Sequence, residues 1–234
     1  MLSLYRLLAG VVGISAVLVL LPLIVLRRRG LRAPRAGRSL LYFACLGTAF
    51  MLLEIGLIHR FVLLLGHQSY ATTVVLLGLL LGAGLGSAAS SRLPIDDPRT
   101  LRIAIGALAT IAFAYTLGLP TLFDQVAASP FAIRLALALT LLVTLGIFLG
   151  LPFPMALRGL AEEGSPLVRW AIGVNGFASV VGSTAAVVTA MVAGLRVVLL
   201  RAVALYLVAA MVIPFGTRRA SRDDLLAAGE DAPA

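Results

Sequence analysis

The chain has 234 residues, of which 61% are hydrophobic and 12% charged, and it carries a net charge of +9. So much apolar surface cannot be hidden inside one water-soluble core of this size, so lipid is expected as the main solvent. The positive charge does not point to nucleic acid, because the arginines fall in short hydrophilic breaks between apolar runs and do not gather on one phosphate-facing surface.

The hydropathy pattern predicts an all-α, polytopic transmembrane bundle of about seven helices over residues 1–217. Its spans lie near 5–27, 39–65, 71–91, 101–120, 133–155, 167–193 and 196–215, each about long enough for a hydrocarbon core of roughly 30 Å. Residues 218–234 read as a solvated cytoplasmic tail, with Asp223, Asp224, Glu230 and Asp231 among alanines. The first run is followed, not preceded, by Arg27, Arg28 and Arg29, which is the wrong order for a secretory signal. It is expected to be a retained helix with its amino end outside. Threading the chain from a cytoplasmic Arg27–Arg38 segment places Arg92, Arg99, Arg102, Arg158, Arg169, Arg218, Arg219 and Arg222 inside. Arg6, Arg60, Arg134, Arg196 and Arg201 fall outside. The localisation this implies is a bacterial plasma (inner) membrane with the carboxyl terminus in the cytoplasm.

In the second run, FMLLEIGLIHRF places Glu54 near mid-membrane, where an ionised carboxylate costs on the order of a few kcal/mol. It should face protein or a wet cavity, which suits either a proton- or cation-linked role or a structural hydrogen bond. Ile58 and Phe61 follow it at i+4 and i+7, so any partner must come from another helix. Cys45, the single cysteine, excludes an internal disulfide and reads as a small buried hydrophobe. His59 and His67 are eight residues apart with no carboxylate at a matching position, so no metal site is expected, and Arg60 reads as an interfacial, snorkelling side chain.

The third run, GLLLGAGLGSAAS, repeats Gly78, Gly82, Gly86 and Ser90 every four residues inside an apolar helix. With no preceding strand and no following GK[ST], it reads as a helix-packing stripe and not as a phosphate loop. At the end of the fifth run, Pro152 and Pro154 each remove a backbone donor and should bend or interrupt the helix. The sixth run aligns Asn175, Ser179 and Ser183 on one face, flanked by Gly176 and Gly182. That stripe can glue helices or line a hydrated cleft. Asn175 and Glu54, both costly in lipid, are expected to share one interior polar cluster.

Taken together and in this order, FMLLEIGLIHRFVLLLGH, LLLGAGLGS, GLPFPMALR and WAIGVNGFASVVGS resemble the carboxyl-terminal membrane portion of the membrane-bound spermidine-synthase-like proteins. The helices of that family are in turn similar to half of a major-facilitator transporter. Such proteins typically carry a soluble aminopropyltransferase or methyltransferase domain. This chain lacks a βαβ alternation, so polyamine synthesis does not carry over, and the resemblance implies a split or truncated member or one whose soluble portion is a separate chain. No nucleophile, base and orienting group stand at usable spacing, so no catalysis by the chain alone and no cofactor are expected. The leading expectation is a transporter-like module for a small polar or cationic solute, with Glu54, Asn175 and Ser179 lining its interior and a homodimer or missing half as partner. The alternative is a membrane anchor or assembly subunit for a soluble synthase-like or methyltransferase-like enzyme. The bilayer is a partner in either case, and nucleic acid in neither.

Overall fold

The structure, a computed structural model, describes residues 35–93 and 98–213 together with positions 6, 9–10, 12–19 and 21 of the first run. Those first-run positions are helical, whereas the rest of the expected 5–27 span and the 218–234 tail lie outside the described residues. Among the described residues there is no strand. The helices are α1 (Ala36–Leu65), α2 (Gln68–Ser90), α3 (Pro98–Val126), α4 (Phe131–Leu149), α5 (Pro152–Glu162), α6 (Val168–Ala193) and α7 (Leu195–Met211).

The boundaries follow from local chemistry. Gly66 ends α1 in the left-handed region at φ 80° and donates its N–H to the Val62 carbonyl, 2.8 Å away, which satisfies an orphan acceptor. His67 then caps α2, its Nδ1 accepting from the Ser69 N–H. Two expected boundaries are corrected. Pro120 does not end the fourth span, because α3 continues through it to Val126. Buried Phe123 holds that last stretch by packing edge-on against Phe61 of α1, with ring centroids 5.1 Å apart. The fifth span does not run on to 155 but stops at Leu149, and α5 begins at Pro152. A Pro152 ring inside a continuous helix would clash with the Phe148 carbonyl and could not donate back to it, whereas at the first helical position neither penalty arises.

Among the described residues, five stretches are long and apolar enough to cross a membrane: α1, α2, α3, the broken pair Phe131–Glu162, and α6. At 17 residues, α7 spans only about 25 Å. The seven described helices therefore arise by a different route from the seven expected spans: α4 and α5 divide one of them, and the first lies largely outside the described residues. Large side chains face outward, with Leu80 64% and Ile103 71% exposed, an arrangement consistent with an integral membrane protein and costly in water.

The central helix is α1, which packs along α6 and α7 on one flank and α2 on the other, while α2 pairs with α4 and α3 with α7. Small residues set these approaches. A Cβ placed on Gly82 would lie 2.8 Å from the Gly146 Cα and 2.9 Å from the Ile147 nitrogen, and one on Gly78 would strike the Leu142 side chain. Gly86 abuts the Ile147 carbonyl in the same interface. On α6, Gly182 sits against Thr48, where an added Cβ would lie 2.8 Å from the Thr48 Cα. Gly176 takes no part in such packing, since a Cβ there meets nothing within 4 Å. One turn away, the Thr48 hydroxyl donates to the Ala178 carbonyl at 3.2 Å, a polar tie between α1 and α6.

Candidate functional site

The break between α4 and α5 borders a half-open cavity of about 480 Å³ that residues of α1, α2, α6 and α7 also line. Its floor is formed by Gly150, Pro152, Phe153 and Pro154, and its walls by Gly47, Phe50 and Met51 of α1 and by Ala83 and Ser87 of α2. Asn175 and Ser179 of α6 and Tyr206 of α7 complete it. Met51, about 22 Å along α1, is the deepest lining residue on that helix.

The sequence Pro152-Phe153-Pro154 makes a buried helix start tolerable. A helix's first turn ordinarily leaves several N–H groups without partners, which is expensive at membrane depth, and here two of the first three residues have no N–H. Phe153 supplies the one donor, and the Met155 N–H already reaches the Leu151 carbonyl. Tyr42 fixes the same segment from α1, its hydroxyl donating to the Pro152 carbonyl at 3.1 Å. The Tyr42, Phe43 and Phe153 rings stack edge to face in series beneath it.

Gly47 allows α6 to come close, because a side chain there would meet the Asn175 carbonyl and stand 3.0 Å from Ser179 Oγ. The Ser179 hydroxyl is engaged by backbone. It donates to the Asn175 carbonyl at 2.9 Å and lies 3.4 Å from the Gly47 carbonyl. The Asn175 amide, the Ser87 hydroxyl and the Tyr206 hydroxyl line the cavity without a hydrogen bond to any described residue. Tyr206 is otherwise sealed, at 1% exposure. Among the described residues, no charged side chain lines the space. Chemically, this is an apolar chamber with three free hydrogen-bonding groups, suited to a neutral molecule with polar substituents and poorly suited to a bare ion.

Of the residues singled out in the sequence, Asn175, Ser179, Pro152 and Pro154 converge here. Glu54 does not. It lies on α1 about 10 Å beyond Gly47, is half-buried, and among the described residues makes no hydrogen bond or ion pair. The expected Glu54–Asn175 cluster is therefore not what encloses the cavity. Gly78, Gly82, Gly86 and Gly182 lie at helix contacts, with Gly82 and Gly86 in the α2–α4 seam one helix away, and Gly176 is exposed. Lining residues not singled out from the sequence include Gly47, Ser87 and Tyr206. A tyrosine in the body of an apolar run, away from the interfacial belts where aromatic residues gather, is the signal that marks Tyr206. No family model, curated protein or solved structure matches the chain.

Proposed function

We propose that the chain is a transporter-like membrane module that holds a small solute in the chamber beside the α4–α5 break. The carrying observation is that Asn175, Ser179 and the Pro152–Pro154 break, from separate parts of the sequence, meet around one cavity of about 480 Å³. Discontinuous helices at such a cavity are a recurring construction for transport sites, because the interruption frees backbone groups where a cargo can use them. The resemblance to the membrane portion of spermidine-synthase-like proteins, and through them to half of a major-facilitator transporter, supports the same reading. Its GLPFPMALR segment builds the break, and its WAIGVNGFASVVGS segment supplies Asn175 and Ser179. A second copy or a missing half would then complete alternating access. The described lining favours a neutral polar solute over a polyamine, since none of its residues is a carboxylate.

A second reading is favoured by charge. Arg35, Arg38, Arg92, Arg99, Arg102, Arg158 and Arg169 all lie toward the helix ends on the side of the bundle where α5 emerges. Under the positive-inside rule this is the cytoplasmic face of a bacterial inner membrane, where a basic surface would anchor a soluble synthase-like enzyme.

Cysteine accessibility tests the first reading. With Cys45, the single and buried cysteine, replaced by alanine, Ser87→Cys and Asn175→Cys variants are treated in membrane vesicles with a small water-soluble thiol reagent. Labelling of both is expected, undiminished when Glu54→Gln is added. Failure of either to label would mean that the chamber is dry and would overturn a solute-holding role.

A further inference from the structure

At the opposite end of the bundle, three helices each carry an arginine: Arg60 on α1, Arg134 on α4 and Arg196 on α7. Helices α1 and α7 cross at Gly56, where a Cβ would come within 2.7 Å of the Leu199 side chain. Arg60 follows Gly56 by one turn on α1, and Arg196 precedes Leu199 by about one turn on antiparallel α7, so the crossing carries both to the same end. They lie close enough to repel one another. Arg134 of α4 reaches the same end of α1, its Nη1 donating to the Leu64 carbonyl at 2.9 Å, one turn beyond Arg60, and its guanidinium lying 5.9 Å from the Phe131 ring centroid. Both Arg60 Nε and Arg134 Nε are buried without a hydrogen-bond partner.

Among the described residues, no acidic side chain pairs with this charge. Asp124 is the one described acidic residue near this end; it is exposed and makes no ion pair with any described residue. Arg201 donates to Thr189 Oγ1 at 2.6 Å, and Arg158, whose Nε is likewise buried without a partner, spends both amino groups on the Ser90 and Ser91 carbonyls. Like charges held together in a medium of reduced dielectric are destabilising, and unpaired buried donors add to the cost. An anion between them removes both penalties. Arg60 lies five residues before the end of α1, about 7.5 Å, which is the depth of the phosphate layer relative to a span of this length. The amino end of α7 beside Arg196 adds its own partial positive charge.

We propose that Arg60, Arg134 and Arg196 form a binding site for a phosphate anion, filled in the membrane by the headgroup of an anionic phospholipid. The guanidinium fork matches phosphate oxygens better than any other common lipid group. The site lies apart from the chamber beside α5 and does not depend on its function.

Native mass spectrometry of the detergent-purified chain tests this with three probes: phosphatidylglycerol, phosphatidylcholine and free glycerol phosphate. Preferential retention of phosphatidylglycerol is expected, with Arg60→Gln/Arg196→Gln weakening it by roughly five-fold per arginine lost. Arg201→Gln, which removes a partnered charge from the same end, should leave retention unchanged. Because Arg196 is exposed, Arg196→Gln alone preserves the fold and should still lose its five-fold share should the double variant misfold. Glycerol phosphate competing at comparable concentration would support the phosphate site while assigning it to a free solute. Equal retention of the two lipids by the unaltered chain, or an equal loss from Arg201→Gln, would overturn the proposal.

Discussion

Tyr206 and Tyr42 are two buried phenols near the same chamber with opposite hydrogen-bond status. Tyr42 donates to the Pro152 carbonyl, whereas the Tyr206 hydroxyl has no partner among the described residues. Removing a satisfied buried bond costs about 0.5–1.5 kcal/mol, and removing an unsatisfied group costs little or stabilises. Thermal unfolding in detergent should therefore show Tyr42→Phe melting below the unaltered chain and Tyr206→Phe at or above it. The reverse order would mean that the Tyr206 hydroxyl is engaged and that the chamber presents one polar group fewer. At this scale the sequence is a partial guide. Asn175 and Ser179 are conspicuous because polar atoms are costly in lipid, and both reach the cavity. Ser87 is hidden in a glycine stripe that already has a packing explanation. Glu54 is the most conspicuous residue of all by cost, yet cost says only that a residue must avoid lipid, not which neighbours it meets.

Among the elements, α2 shows how finely a glycine stripe discriminates. Gly82 faces the α4 backbone, whereas a Cβ at Gly84 would meet nothing within 4 Å. Gly82→Ala must push backbone against backbone and is expected to cost about 1–3 kcal/mol, while Gly84→Ala should be neutral or gain up to about 1 kcal/mol from helix propensity. Comparing the two variants by unfolding in mixed micelles separates the effects; equal stabilities would show that the α2–α4 seam is looser than described. The i, i+4 spacing makes that face legible from sequence. The prolines are harder to read. Pro120 sits inside α3, while Pro152 and Pro154 open α5. A lone proline between buried Leu119 and Phe123 is carried by the tertiary contacts on either side of it. A pair two residues apart, preceded by Gly150, removes two donors from a single turn, and the helix restarts there. Sequence reveals the missing donors but not the packing that decides whether they can be borne.

For the whole molecule, the alternation of α1, α2, α3, the α4–α5 pair and α6 assigns every described segment to one end or the other. Single cysteines at Ser91 and at Gln68, on the Cys45→Ala background, are expected to label with an impermeant reagent from opposite faces of sealed vesicles. Ser91 should lie on the face bearing Arg92 and Arg158, and labelling of both positions from one face would refute the threading. Composition and run length are enough to indicate a membrane bundle. They do not say which helices touch, because every run is apolar on most sides and periodicity barely distinguishes lipid from protein.

The pairing of α2 with α4 across the intervening α3 also bears on how the protein is made. As the chain enters the membrane, the glycine face of α2 has no partner until residues 91–130 have been synthesised and α3 has crossed. For that interval it offers close-packing backbone to any passing helix, so α3 must leave α2 free for α4 to dock. Biogenesis should therefore be most sensitive to the length of the connections around α3, and a chain stalled before Leu149 should be the intermediate that membrane quality control engages.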